Sequence, residues 1–346
     1  LYRGAEIIIL DEPTAVLTPQ EADQLLGIFR DMKRQGKTII FITHKLNETK
    51  AVSDSVTVLR AGQSVYHTAT EDVTVKQLAN QMVGHEVDYK LKRIPGQAGD
   101  VIVSLNKVRI LDNAGDTISL DIHAGEIVGI AGVEGNGQMQ LEEILMGFQR
   151  CREGSIVIKG EDVTKWPTRR RLQKGISYIP SSRHDRAILP GFSILDNYLL
   201  GNQFNKKFVK RRLIDYTFLN RTAAESMKKY DVRAVDENQA VGALSGGNQQ
   251  KMVLSREVEK NSDFVLVCQP VRGLDIGAIH YIHEILLNLR RQGKAILLIS
   301  AELTDIFQLS DRIAVLYKGE IMDLRRNEEF TRESIGLLMA GQKGGK

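Results

Sequence analysis

Hydrophobic positions along the first 84 residues change period, from short apolar runs to stripes at helical spacing. The runs Ile7–Leu10 and Thr38–Ile42 are continuous and strand-length, which is typical of strands that are buried on both faces. Between them, residues 19–34 place apolar side chains three and four positions apart, which predicts a helix. The order strand, helix, strand predicts an α/β fold with a parallel core.

This pattern returns later in the chain at a constant offset. Residues 6–14 (EIIILDEPT) resemble residues 263–271 (DFVLVCQPV), and residues 35–44 (QGKTIIFITH) resemble residues 292–301 (QGKAILLISA), each 257 positions apart. One register held without a gap predicts two copies of one domain. We therefore expect three parts, of which the first lacks its beginning: residues 1–84 as the C-terminal part of the first domain, 85–100 as a linker, and 101–346 as a complete second domain.

A glycine loop lies near the start of the second domain. The apolar run 126–131 leads into Gly132–Met139 (GVEGNGQM), and apolar residues at helical spacing follow. A strand, a glycine loop and a helix form the cradle that binds phosphate through backbone N–H groups. The usual loop ends in Lys and then Ser or Thr, but here Gln138 and Met139 occupy those positions. The sequence therefore predicts a phosphate-binding loop in which the last two positions are altered.

Composition and charge exclude several classes of protein. The net charge of +4 is spread along the chain, whereas a nucleic-acid-binding domain needs a concentrated basic face, so no nucleic-acid partner is expected. The two cysteines, Cys151 and Cys268, match no metal or disulfide spacing. The apolar runs are strand-length, too short to span a bilayer. Residue 1 is Leu rather than Met, which suggests a truncated chain.

The most specific element is LSGGNQQK at residues 244–251, which resembles the signature of ATP-binding cassettes. Together with DEPT at 11–14, the loop at 132–139 and GLD at 273–275, it makes nearly the whole chain similar to ABC-type P-loop NTPase domains. The finer motifs resemble those of the fused double cassettes of simple-sugar and nucleoside importers. Some of them look more like the nucleoside type. The resemblance implies one partial and one complete cassette.

It also implies the roles of individual residues. Two cassettes would face each other head to tail and enclose ATP. Asp11 would help to hold Mg²⁺, Glu12 would polarise the attacking water, and His44 would sense the γ-phosphate. The residues expected to bind the nucleotide are Gly132, Gly135, Asn136, Gly137, Gln138, Met139, Ser245, Gly246, Gly247 and Gln249.

The second copy differs from the first at the three residues that are expected to bind Mg²⁺, water and the γ-phosphate. Cys268 stands in the place of Asp11, Gln269 in the place of Glu12, and Ala301 in the place of His44. We expect the second site to hydrolyse ATP poorly. By the same offset, the first copy's phosphate loop and signature would fall before residue 1. Neither composite site is then complete, and the isolated chain is expected to be inactive.

The importer resemblance implies two integral-membrane permease subunits and a substrate-binding protein as partners, with this chain peripheral at the cytoplasmic face of the plasma membrane. Coupling to the permease would run through residues 178–197. Two other readings stay open: a tandem-cassette translation factor, and a non-enzymatic fragment. The transported solute contacts other subunits, so this sequence does not name it.

Overall fold

The computed structural model describes residues 5–14, 17, 19–60, 62–84, 98–112 and 115–342. They form two compact units. The first holds the described residues up to 84 together with Asp275–His280, and the second holds the others from 98 onward. Of the expected linker 85–100, residues 85–97 lie outside the described residues.

The first unit contains a parallel pair of strands, an antiparallel hairpin and three helices. Strands β1 and β2 pair in parallel, and strands β3 and β4 form the hairpin. The elements are β1 (Ile7–Asp11), α1 (Pro19–Arg34), β2 (Thr38–Ile42), α2 (Leu46–Val52), β3 (Ser55–Arg60), β4 (Gln63–Ala69) and α3 (Val75–Val83).

The second unit is larger and mixes a mainly parallel sheet with an antiparallel one. Its strands are β5 (Val101–Val108), β6 (Ile118–His123), β7 (Ile127–Ala131), β8 (Ser155–Ile158), β9 (Glu161–Asp162), β10 (Ile176–Ile179), β11 (Val209–Lys210), β12 (Leu213–Ile214), β13 (Phe264–Cys268), β14 (Ala295–Ser300), β15 (Arg312–Tyr317) and β16 (Glu320–Arg326). Its helices are α4 (Gln138–Met146), α5 (Thr168–Gln173), α6 (Arg183–Arg186), α7 (Ile194–Leu199), α8 (Tyr216–Lys229), α9 (Gly246–Val258), α10 (Ile276–Arg291), α11 (Leu303–Leu309) and α12 (Arg332–Met339). The first residues of α10, up to His280, are grouped with the first unit.

Six of these strands form one sheet in the order β10-β13-β14-β7-β15-β16, parallel except for β16. A four-stranded antiparallel sheet has the order β6-β5-β8-β9. Apolar side chains of both sheets and of α4 share one buried cluster, so α4 is held inside the core. Strand β7 lies within the larger sheet, and the loop that follows it therefore opens at the carboxyl end of the sheet, where α/β folds bind ligands.

The offset of 257 residues also relates the two units element by element. Strand β1 corresponds to β13, α1 to α10, β2 to β14, and the hairpin β3–β4 to β15–β16. Strand register follows as well, because Ile7 pairs with Thr38 and Phe264 pairs with Ala295. Both hairpins shift register at the same relative position. The repeat seen in the sequence is thus a repeat of backbone structure.

The expectation that β1 and β2 are buried on both faces is wrong. Ile9 is 68% exposed and Ile42 is 55% exposed, and exposure alternates along both strands. Their counterparts in the second unit, Leu266 and Ile299, are buried in the cluster that includes α4. The apolar runs are suited to strands that are covered on both faces. In the first unit, the described residues cover only one face of β1 and β2.

Candidate nucleotide site

The glycine loop of the second unit has the backbone of a phosphate cradle. It leaves β7 at Ala131 and enters α4 at Gln138, with Gly135 and Gly137 at φ 89° and 111°. A Cβ on Gly137 would lie 3.2 Å from the Gly319 Cα atom, so the loop also needs glycine there for space. The unpaired N–H groups at the start of α4 make this an anion-binding end.

Asn136 anchors this loop to the neighbouring hairpin. Its carbonyl accepts a hydrogen bond from the Gly319 N–H at 2.8 Å, and its Oδ1 atom accepts one from the Lys318 N–H at 3.0 Å. The side chain predicted to bind nucleotide is therefore engaged with the protein. Asn136 shapes the loop through these contacts.

The two altered positions at the end of the loop differ in their surroundings. Gln138 is 8% exposed, and its Nε2 atom donates to the Val133 carbonyl at 2.8 Å. Met139 is 53% exposed, and its thioether replaces the hydroxyl that would bind Mg²⁺. Gln138 is thus part of the loop interior, whereas Met139 faces outward.

Gln269 and Ala301 follow the ends of β13 and β14, at the positions that correspond to Glu12 and His44 in the first unit. Gln269 has φ 48°, its N–H donates to the Ile299 carbonyl at 2.7 Å, and its Oε1 atom accepts from the Ala301 N–H at 3.2 Å. Its amide cannot act as a base. The arrangement positions a side chain without supplying a catalytic group.

Cys268 meets an acidic side chain that sequence reasoning did not single out. Burial, with Glu142 next to it, raises the pKa of the Cys268 thiol well above its usual value. Glu142 is 1% exposed, and its Oε1 atom accepts hydrogen bonds from the Tyr178 hydroxyl and, at 3.2 Å, from the Ser181 N–H. The Arg186 Nη1 atom lies 3.8 Å from it. The sequence did offer one sign of this buried site, because Glu142 is an acidic residue among the apolar positions of α4.

The first unit keeps a carboxylate and an imidazole at the corresponding strand ends. The Glu12 Oε1 atom lies 2.9 Å from the His44 Nδ1 atom. Glu12 has φ 44°, and its N–H donates to the Ile42 carbonyl at 2.8 Å, the same backbone geometry as in the second unit. Asp11 ends β1 with an exposed side chain. The structure therefore brings Glu12 and His44 together, with Asp11 adjacent in sequence.

The predicted signature forms the start of α9. The Ser245 side chain caps the helix and accepts from the Asn248 N–H, while Gly246 and Gly247 open its first turn. Gln249 lies inside the turn that precedes the helix. It is 4% exposed, and its Nε2 atom donates at 3.2 Å to the Leu244 carbonyl and to a second carbonyl in the preceding turn. Its amide therefore holds the motif in place through backbone contacts.

Arg183 packs against this signature. A Cβ on Gly246 would lie 2.9 Å from the Arg183 Nη2 atom, so the guanidinium rests directly on this glycine. The Nη1 atom makes a weak contact with the Arg272 carbonyl at 3.4 Å, and the Arg272 side chain binds Glu134 of the glycine loop at 2.5 Å. These contacts connect the start of α9 to the loop within the second unit.

Magnesium prefers hard oxygen ligands, and the two units differ in how well they fit it. Asp11 offers a carboxylate oxygen, whereas a protonated, buried Cys268 and a thioether at Met139 do not fit. Within the described ranges no group of three or more His, Cys, Asp or Glu side chains could hold a metal ion. Phosphate oxygens and water would therefore supply most ligands of an ion at Asp11.

Among the residues that the structure describes, no helix has the length and apolar character needed to cross a bilayer.

Comparison with known proteins gives a family match and close relatives. The ABC transporter family model matches residues 116–272. The nucleoside import ATP-binding protein NupA of Lactococcus lactis subsp. cremoris (strain MG1363) is 40% identical over 345 residues, which cover 99% of this chain and 68% of NupA. The guanosine import ATP-binding protein NupO of Bacillus subtilis (strain 168) is 41% identical, with the same coverage of both chains. The ribose import ATP-binding protein RbsA of Lacticaseibacillus paracasei is 35% identical, covering 99% of this chain and 68% of RbsA.

Solved structures give the same fold. The dimeric MJ0796, a bacterial ABC transporter cassette, superposes with a TM-score of 0.57 at 22% identity, covering 66% of this chain and 100% of that one. MJ1267, an ATP-binding cassette of an ABC transporter, gives a TM-score of 0.57 at 20% identity, covering 70% and 96%. The α/β nucleotide-binding fold expected from the sequence is confirmed.

Proposed function

Because this chain belongs to the family of ABC transporter ATP-binding proteins, we propose that it serves an importer that takes up a nucleoside or a simple sugar. Proteins of the family bind ATP and couple its hydrolysis to transport. The solute class follows the names of NupA, NupO and RbsA. Sequence identity does not separate a nucleoside from a simple sugar, because a protein named for glucose import is 39% identical, next to 40% and 41% for the proteins named for nucleoside and guanosine import.

The proposed organisation is a fused double cassette. Residues 1–84 are the latter part of one cassette, 85–100 a linker, and 101–346 a second cassette. The element-by-element offset of 257 residues supports this division, as does the shared left-handed backbone at Glu12 and Gln269. On this proposal, the phosphate loop and signature that belong with residues 1–84 are not among the 346 residues. The 68% of NupA that the chain spans is compatible with that.

Hydrolysis is assigned to the site that contains Glu12. The observation that carries this is the 2.9 Å contact between Glu12 and His44, set against the contact between Gln269 and the Ala301 backbone in the second unit. Glu12 accepts hydrogen bonds from the attacking water and polarises it, which is a general-base role. His44 contacts the γ-phosphate and fixes the orientation of the Glu12 carboxylate.

The start of α9 is a second phosphate-binding element. Its N–H groups, with the exposed Ser245 hydroxyl and the backbone of Gly246 and Gly247, are proposed to bind the γ-phosphate of a nucleotide. Asp11 helps to hold Mg²⁺, which supplies charge stabilisation for the phosphates when bound. The glycine loop 132–139 belongs to the second, degenerate site, where Gly132, Gly135 and Gly137 shape the anion cradle.

The proposed partners are two integral-membrane permease subunits and a substrate-binding protein, with the chain peripheral at the cytoplasmic face. Residues 178–197 are the segment assigned to permease contact. Arg186 at the end of α6 binds Glu143 of α4 at 2.5 Å, and Tyr178 contacts buried Glu142 of the same helix. A movement of this segment would therefore reach the helix that follows the glycine loop.

The test uses the full-length parent in a reconstituted transporter. Glu12→Gln should lower phosphate release by about a hundredfold or more, because the general base is lost, while nucleotide stays bound. Gln269→Ala is the matched control in the other half, and it should cost at most a few-fold because no base is removed. Robust turnover by Glu12→Gln, or collapse in Gln269→Ala, would show that the working site is in the other half. The 346-residue chain alone should release no phosphate.

A further inference from the structure

Gln138 spans the glycine loop of the second cassette from its end to its beginning. It is the first residue of α4, it is 8% exposed, and its Nε2 atom donates to the Val133 carbonyl at 2.8 Å. The same Nε2 atom lies 2.3 Å from the position that a Cβ on Gly132 would occupy. The amide therefore packs directly against Gly132, where the Leu316 carbonyl, 2.8 Å from the same position, also leaves no room for a Cβ.

The other end of this amide has no hydrogen-bond partner. Gln138 Oε1 is buried and accepts from no atom in the described part of the chain. Exchanging the two ends of the amide would set Oε1 against the Val133 carbonyl oxygen, so the observed orientation is the favourable one. One of the two Nε2 hydrogens is taken by the loop's own backbone, and the side chain carries no positive charge toward a phosphate, as a lysine would.

We infer that Gln138 is an internal plug that lowers the affinity of the second cassette's loop for phosphate. This deepens the proposed function and rests on it, because it concerns the degenerate site named there. A lysine at this position carries positive charge to the phosphates, whereas Gln138 is neutral and folded inward. The exposed Glu134 within the loop adds negative charge that Arg272 pairs at 2.5 Å. Nucleotide must displace the Gln138 amide before phosphate can enter.

A plug and a nucleotide contact predict opposite effects on nucleotide affinity when the Gln138 side chain is removed. If Gln138 were a nucleotide contact, as the sequence suggested, its removal would weaken binding. If it is a plug, Gln138→Ala should bind nucleotide tighter by about three- to tenfold, the factor associated with releasing one neutral hydrogen bond. Gln140→Ala removes the same amide two positions further along α4 and should leave affinity unchanged.

The experiment titrates the 346-residue chain with methylanthraniloyl-ATP, with and without Mg²⁺, and follows the probe's fluorescence. Gln138→Lys is the second variant, because it restores charge at the same position. Equal or weaker binding by Gln138→Ala than by the unmodified chain overturns the plug. If Gln138→Lys also fails to bind the probe, the loop is not a nucleotide site and the plug is overturned, whereas the assignment of hydrolysis to Glu12 is tested separately by Glu12→Gln in the reconstituted transporter. Circular dichroism melting of each variant confirms that the loop change has not unfolded the chain.

Discussion

Arg171 is the largest fully buried side chain described in the second unit, and it holds the far end of the helix that follows the glycine loop. Its Nη1 atom donates to the Ile144 and Leu145 carbonyls at 2.6 and 2.7 Å. Its Nη2 atom donates to the Thr164 carbonyl at 2.9 Å, and its Nε atom donates to the Trp166 carbonyl at 3.0 Å. A positive charge at the carboxyl end of α4 also complements the helix dipole.

Replacing Arg171 with methionine keeps the length of the side chain and removes every donor. Four carbonyls then lose a charged partner, each such hydrogen bond contributing about 1.5–3 kcal/mol when measured singly. Such losses add incompletely, so we expect the free energy of unfolding to fall by roughly 3–5 kcal/mol, because buried carbonyl oxygens are left without a donor. At about 2–4 °C per kcal/mol for a unit of this size, the melting temperature should fall by at least about 6 °C.

Urea unfolding followed by tryptophan fluorescence measures this directly, because the chain has a single tryptophan and Trp166 contacts Arg171. Arg170→Met is the control. Arg170 is exposed on the same helix and lies 3.7 Å from the centre of the Trp166 ring. If the two variants unfold within about 1 kcal/mol of each other, the buried hydrogen bonds do not stabilise the unit as argued.

Three further outcomes follow from the described contacts. Native protein should react with Ellman's reagent at one thiol, half-buried Cys151, and not at fully buried Cys268, while unfolded protein should show two; two fast thiols would contradict the burial. Burial opposes ionisation of Glu257, but Lys260 and Arg256 outweigh it and hold its pKa below its usual range. Stability from that carboxylate is present above about pH 4.3 and is lost as pH falls through the lowered pKa, so Glu257→Gln should flatten an acid unfolding curve. Amide hydrogen exchange should be faster in β1 than in β13, because one face of β1 is exposed; equal protection would refute this.

The backbone of this chain follows closely from its sequence pattern. Apolar runs and helical stripes locate the strands and helices of both units, and the constant offset anticipates even the shared register of β1–β2 and β13–β14. Such features depend on neighbouring residues and on the period of burial, which sequence displays directly. The glycine loop is predicted equally well, because positive φ at Gly135 and Gly137 needs that residue.

Side-chain roles are harder to predict because they depend on partners distant in sequence. Asn136 and Gln249 belong to nucleotide-binding motifs, yet both side chains satisfy backbone groups of the protein. Ile9 lies in a strand pattern typical of two-sided burial but is exposed, since burial depends on which elements are present. Glu142 carries no motif at all, and only the fold brings it to Cys268.

The contact between Glu142 and Cys268 limits which side chains position 268 of the second unit can carry. An aspartate at position 268 would set a new carboxylate against Glu142, which is only 1% exposed. Two buried acids that close cannot both ionise, so one would be held neutral and would serve poorly as a magnesium ligand. An aspartate introduced at 268 would therefore need a neutral residue, such as glutamine, at position 142 beside it. One buried acid on α4 therefore decides which side chains the end of β13 can carry, although the backbone there has the same geometry as at the end of β1.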